Sequence, residues 1–297
     1  MDIEVASRGF DDRIRWDPAL IRKYDVAGPR YTSYPTALQF AEGFGSREYE
    51  QYLLERPPVI GPLSLYVHIP FCRNICYYCA CNKIVTRDAA VAERYIVALE
   101  KEIALLAHHH DQRRRVTQLH WGGGTPTFLS PSELTRLMHG LARHFSLIDA
   151  PEREYSIEID PRSVDTGTIA LLKGLGFNRI SMGIQDFDPQ VQRAINRIQP
   201  FDMVESLVDA VREHRFKSLS FDLIYGLPLQ SPASMEETLA KVLALNPDRV
   251  SCYSYAHLPD MFSSQRSIDR MQLPSADAKL EVLHTIIDTL TDAGYLY

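Results

Sequence analysis

The sequence has no stretch approaching the ~18 consecutive apolar residues of a membrane-crossing helix, so no span is expected. Its first ten residues carry Asp2 and Glu4 and no apolar segment, so no secretory leader is expected either. There is no long basic tract and the formal net charge is −6, which makes nucleic acid a poor partner. A cytoplasmic, monomeric protein is the resulting expectation. Cysteine is scarce: five in 297 residues, four of them crowded between positions 72 and 81. In a reducing compartment that distribution points to metal or redox chemistry, not to a disulfide framework. What remains is 45% hydrophobic and 24% charged, enough for one α/β barrel or two smaller domains.

Six β-prone runs alternate with amphipathic stretches. Strands are expected at Leu63–Ile69, Val116–Trp121, Glu154–Asp160, Arg179–Gln185, Leu219–Ile224 and Arg249–Tyr255. Helices are expected over about Ala89–His109, Asp202–His214, Ser234–Leu245 and Ala276–Ala293, the last closing on Gly294. Ser130-Pro131-Ser132-Glu133 is a capping box with proline at the first helical position, opening a helix to about Phe145. Another helix, about Thr168 to Leu175, stops at Gly176, which can turn left-handed past a helix end.

This alternation implies a parallel sheet with crossover helices. The expected fold class is α/β, a partial (β/α)6 barrel over residues 61–297, although periodicity alone leaves a doubly wound open sheet standing. Residues 1–60, with Gly28-Pro29 and Tyr34-Pro35 and only short helical possibilities, are expected to form an arm or lid. Tyr295-Leu296-Tyr297 reads as a strand cut off as it begins, so the chain is expected to stop before the natural protein does.

The cysteines run Cys72-x3-Cys76-x2-Cys79-x-Cys81, directly after the first strand and so in the first βα loop. Such a loop can wrap three thiolates around an iron–sulfur cubane and leave one iron without a protein ligand. The alternative is a four-cysteine zinc site, but those usually present two separated Cys-x2-Cys pairs. Cys252, in an apolar strand, is expected to behave as a small buried hydrophobe. The His108-His109-His110 run, followed by Arg113-Arg114-Arg115, is read as a solvated helix end.

In a parallel α/β fold, function gathers at the carboxyl ends of the strands. The second strand ends in Trp121-Gly122-Gly123-Gly124-Thr125-Pro126, whose glycines let the backbone approach a ligand. The third puts Glu158 and Asp160 on one face, where buried carboxylates must be paired or hydrogen-bonded. The fourth ends at Gln185-Asp186, the fifth carries Asp222, and the sixth closes on Tyr255-Ala256-His257. Any one of these is more often structural than functional; polar groups at the same end of six strands read as a ligand site.

The cysteine spacing resembles that of radical S-adenosylmethionine (SAM) enzymes. The longer runs Tyr66-Val67-His68-Ile69-Pro70-Phe71-Cys72, Asn82–Arg87, His120-Trp121, Gly183–Phe187, Asp222–Pro228, Tyr255–Pro259 and Gly28–Thr36 resemble the oxygen-independent coproporphyrinogen III oxidases within that group. The similarity extends from about Trp16 to the last residue. It implies a 4Fe–4S cluster on Cys72, Cys76 and Cys79, with SAM on the open iron and a second SAM beside it. By motif, Tyr66, Gly123 and Glu158 match positions around the first SAM. Tyr78, Gly124, Thr125, Gln185, Arg197, Asp222 and Ala256 match positions around the second. Cys81 would be spare of the cluster, and both it and His68 are candidates for the chemistry.

The implied reaction turns two propionates of coproporphyrinogen III into vinyl groups with loss of carbon dioxide. It implies a 5′-deoxyadenosyl radical that takes a hydrogen from the propionate β-carbon, and a donor protein or molecule that reduces the cluster. A tetracarboxylate substrate calls for arginine clamps, with Arg30 the first candidate and Arg13, Arg15 and Arg22 weaker ones. The rival from the same family is a heme chaperone or heme-binding protein. Such relatives usually lack the fourth cysteine and the Asn82–Arg87 run, both present here.

Overall fold

A computed structural model describes residues 15–24, 34–36, 39–55, 61–111 and 113–297. Arg13 and Arg30 lie outside them. Two short helices, α1 (Pro18–Tyr24) and α2 (Ser46–Glu55), precede the first long strand. Arg22 on α1 is tied to Asp277 at 2.8 Å, so that candidate clamp already has a partner, and Trp16 stacks on His284.

The main sheet contains β1 (Leu63–Ile69), β4 (Arg115–Gly123), β6 (Glu154–Ile159), β7 (Arg179–Gln185), β8 (Ser218–Tyr225) and β9 (Arg249–Ser254), all parallel and in chain order. A doubly wound sheet reverses its strand order part-way; this one does not, and residues from all six strands line a single central hollow. The sheet is therefore curled as a partial barrel. Two-residue strands β2 (Phe71–Cys72) and β3 (Ile84–Val85) pair with each other, and β5 (Ser146–Leu147) flanks β4. Tyr295–Tyr297 form no strand; the Tyr295 hydroxyl instead donates to the Pro247 carbonyl at 2.5 Å.

The crossover helices are α3 (Ala89–His108), α4 (Pro131–His144), α5 (Thr166–Gly174), α6 (Pro189–Ala194), α7 (Phe201–Glu213), α8 (Pro232–Leu245) and α9 (Ala276–Asp292). Their ends follow local chemistry. Ser130 accepts from the Glu133 N–H while Glu133 accepts from the Ser130 N–H, closing the expected capping box. Gly176 and Gly294 take φ of +97° and +93° just past their helices, which a β-carbon would oppose. His108 is the last residue of α3 and is exposed.

Burial alternates along β6 and along β7 as far as Ile184. Tyr155, Ile157 and Ile159, then Ile180, Met182 and Ile184, turn outward into the core shared with the helices. The intervening Glu154, Ser156, Glu158, Arg179 and Ser181 turn inward. Cys252 is part-buried on the core side, and burial pushes its thiol up to about 12, as a small hydrophobe would behave. Stability thus resides between sheet and helices, where fully buried Phe177 meets Trp121 edge-on at 5.2 Å. Truncating Phe177 to alanine is expected to cost about 3–5 kcal/mol. Tyr49→Ala on exposed α2 is expected to stay within ~0.5 kcal/mol. Urea unfolding followed by circular dichroism measures both; equal midpoints for the two variants would contradict this placement of the core.

Candidate active site

Cys72 ends β2, and the loop onward to Cys81 crosses the carboxyl end of β1. Cys76 is buried, Cys72 and Cys79 are part-buried, Cys81 is exposed, and none is in a disulfide. The loop is fastened on several sides. The Tyr77 N–H donates to the Ile195 carbonyl at 3.0 Å, and the Asn196 amide donates to the Ile75 carbonyl at 2.7 Å. Lys83 and Ser264 donate to the Cys79 carbonyl. The buried Gln265 amide donates to the carbonyls of both Tyr78 (3.0 Å) and Ala256 (3.2 Å), joining the cysteine loop to the end of β9.

The sulfurs lie in a cationic setting. Arg162 and Arg197 point guanidinium nitrogens at Cys76 Sγ, at 3.3 and 3.5 Å, and the Thr125 hydroxyl stands 3.5 Å from Cys72 Sγ. Hydrogen bonding from Cys81 lowers the pKa of Cys79, with the Lys83 ammonium helping, and the same bond raises that of Cys81. Burial raises Cys72. Both arginines also grip Asp160, at 2.7 and 3.1 Å. Burial alone would raise the Asp160 pKa, but Arg197 and Arg162 outweigh it and hold the carboxyl down at about 2. Arg197 further donates to the Gly183 carbonyl at 2.6 Å, while its Nε is buried without a hydrogen-bond partner.

Glycines make these approaches possible. A β-carbon on Gly124 would stand 2.7 Å from Pro70, and one on Gly123 2.7 Å from the His68 ring. The N–H groups here are spent within the chain: Gly124 donates to Ile69, Thr125 to Phe71, and Gly123 to Glu158 at 3.3 Å. The glycine turn, expected to approach a ligand, first of all lets β4 press against the cysteine loop. Gln185 adopts φ +66° at the irregular end of β7, a conformation seldom taken by a side-chain-bearing residue.

Inside the barrel lies a cavity of about 350 Å3. Glu158 and Asp222 line it, as do His120, Ser156 and Ser181. His120 Nε2 is 3.0 Å from Glu158, and Ser181 donates to Asp222 at 3.1 Å. Burial, aided by the Glu158 charge, lifts Asp222 to about 6. The Tyr66 ring stacks on His120, and its hydroxyl meets His68 Nδ1 at 3.0 Å. His68 Nε2 then faces the Asn82 carbonyl at 3.1 Å; since a carbonyl only accepts, the Nε2–H tautomer is assigned. Tyr78 packs beside the apolar group of Val191, Ile195, Leu227 and Tyr255, and burial raises its phenol far above the ordinary value.

The structure therefore gathers Tyr66, His68, Gly123, Glu158 and Asp222 on or beside the cavity. Tyr78 lies in the cysteine loop, Thr125, Arg197 and Ala256 stand around it, and the Gln185 side chain lies by Gly183 beside Arg197. Arg162, Gln265 and His120 stand at the site as well, beyond the residues that the sequence motifs assign to it. Among the described residues, no three His, Cys, Asp or Glu side chains converge as ligands of a single ion. Ligands of a cubane bind different irons and need no such convergence.

The sequence model of the radical SAM superfamily matches residues 66–242. The chain belongs to the radical SAM superfamily. Three unbridged thiols in one loop, one of them faced by two guanidinium groups, suit the 4Fe–4S cluster that membership implies, together with SAM. Within this superfamily the chain is 51% identical over 286 residues to the oxygen-independent coproporphyrinogen III oxidase of Pseudomonas aeruginosa, covering 96% of this chain and 62% of that one. The Escherichia coli oxidase of the same name is 49% identical over 289 residues, covering 96% and 61%. The solved structure of coproporphyrinogen III oxidase from Escherichia coli, described as a radical SAM enzyme, superposes with a TM-score of 0.87. The identity there is 48%, and the match covers 95% of this chain and 62% of that chain. The chain thus spans about three fifths of the length of these relatives. Among the described residues no helix is long and apolar enough to cross a membrane.

The raised Asp222 pKa has a thermodynamic consequence. Its folded value, about 6, lies above that of an unfolded aspartate, so the fold prefers the protonated acid. That contribution is fully present below about pH 4 and is lost as pH rises through about 6. Asp222→Asn, which stays neutral, is expected to gain thermal midpoint relative to the parent between pH 4 and 7.5. A constant difference across that range would contradict the assignment.

Proposed function

We propose that this chain performs the chemistry of an oxygen-independent coproporphyrinogen III oxidase: oxidative decarboxylation of two propionates of coproporphyrinogen III to vinyls, giving protoporphyrinogen IX. The observation that carries the reading is the 51% identity with such an oxidase, extending over nearly the whole chain. Cys72, Cys76 and Cys79 hold the cluster and two SAM molecules bind beside it. When bound, the cluster supplies the electron for reductive cleavage of SAM, and SAM supplies the radical that takes hydrogen from the propionate.

The residues divide the remaining work. Arg162 and Arg197 offset negative charge at Cys76, where a thiolate ligand would otherwise be buried beside Asp160. Glu158, with Tyr66 and Gly123, offers a carboxylate to the hydroxyl or ammonium donors of the first SAM. Asp222, Gln185, Arg197, Tyr78, Gly124, Thr125 and Ala256 serve the second. His68 couples Tyr66 to the loop at Asn82, and Cys81 lies beside the ligand Cys79. Residues 1–60 act as a lid, with Arg30 clamping a substrate carboxylate. The enzyme works as a cytoplasmic monomer, takes electrons from a separate donor, and passes the one electron released with each carbon dioxide to an electron acceptor.

Anaerobic reconstitution with iron and sulfide, followed by reduction and EPR spectroscopy, tests the site. The expected result is a 4Fe–4S signal that SAM perturbs, absent in Cys76→Ala and retained in Cys252→Ala. Stoichiometric zinc uptake without such a signal would overturn it. Release of carbon dioxide from coproporphyrinogen III tests the substrate; heme binding with no decarboxylation would favour a chaperone.

A further inference from the structure

Glu158 is held by its own chain from two sides. One carboxylate oxygen accepts the Gly123 N–H, and the other stands 3.0 Å from His120 Nε2. His120 is in turn fixed: its Nδ1 lies 2.6 Å from the Ser156 hydroxyl, and the Tyr66 ring stacks over it at 5.7 Å and 11°. An ionised carboxylate only accepts, so the proton on this side belongs to His120 Nε2, and in the neutral ring Nδ1 accepts from Ser156. The chain of donation runs Ser156 to His120 to Glu158, along inward positions of two neighbouring strands whose register sets His120 opposite Ser156. Gly122 keeps the space for it: a β-carbon there would stand 2.9 Å from Glu158 and 3.0 Å from His120 Nε2.

We propose that His120 is a positioning residue for SAM. By donating to one oxygen of Glu158 it fixes how the carboxylate faces the cavity, and Ser156 fixes the ring that donates. The role rests on the reading of Glu158 as a SAM contact. Left without His120, the half-exposed Glu158 side chain keeps one protein hydrogen bond and can rotate about it.

SAM affinity of the reconstituted protein, measured by equilibrium dialysis, separates the possibilities. His120→Leu is expected to weaken SAM roughly ten-fold, the scale of one hydrogen bond to a charged group. His120→Gln, whose amide can still donate to Glu158, is expected to recover most of that. Glu158→Gln is expected to weaken SAM comparably, and adding His120→Leu to it to cost nothing further. Additive losses, or equal losses from the leucine and glutamine variants, would overturn the positioning role while leaving the SAM site intact. Unchanged affinity in Glu158→Gln would overturn the reading of Glu158 and the proposal with it. A readout independent of SAM is the nitrogen NMR spectrum of the cluster-free protein. It should show a protonated His120 Nε2 whose shift moves in Glu158→Gln; an unmoved resonance contradicts the contact.

Discussion

One guanidinium ties the mouth of this barrel together. Arg197 reaches Asp160 just past β6, the Gly183 carbonyl on β7 and the sulfur of Cys76, all from a position almost wholly removed from solvent. A buried cation is tolerable only with partners, and here the partners come from three separate parts of the chain. Asp160 is the pivot, because it also holds Arg162, and the two arginines would otherwise repel one another beside Cys76. The position of the cysteine loop over the sheet follows from this arrangement.

The barrel interior departs from the usual packed core of layered Val, Ile and Leu. Inward positions are mostly Ser, Glu, Gln, His, Arg and Asp, with Tyr253 on β9, and the centre stays hollow. That is affordable because the outward faces of the same strands carry the apolar burial, against the helices. Folding energy and chemistry are thus separated onto the two sides of one sheet. Acids are treated unequally along the barrel: at the mouth Asp160 is held charged, whereas inside the hollow Asp222 is displaced toward its neutral form.

Most strand and helix positions were legible because several βα units carry their own punctuation: the Ser130 capping box, Gly176, Gly294 and the alternating β6 and β7. The clustering of cysteines and the Glu158–Asp160 alternation announced where polar groups would collect. What stayed hidden depends on register and on distant chain. That His120 meets Ser156 and Glu158 follows from the β4–β6 register, which the alternating pattern fixes only to within a two-residue slip. Gln265 lies in no strand and is marked by nothing local, yet it is among the most buried polar residues. Tyr295–Tyr297 form no strand: the Tyr295 N–H closes back on the Leu290 carbonyl at the end of α9 and its hydroxyl on Pro247.

The Gln265 amide also has a bearing on how the protein is made. It clasps Tyr78 across 187 positions of sequence, so the two ends of that contact leave the ribosome far apart in time. Contacts of such long range carry a high loop-closure cost and form late. Synthesis from the amino end therefore exposes Cys72, Cys76 and Cys79 well before the Gln265 clasp on their loop exists. In that interval the thiols have only the earlier-made contacts of their loop, to Arg162, Ile195, Asn196 and Arg197, to confine them.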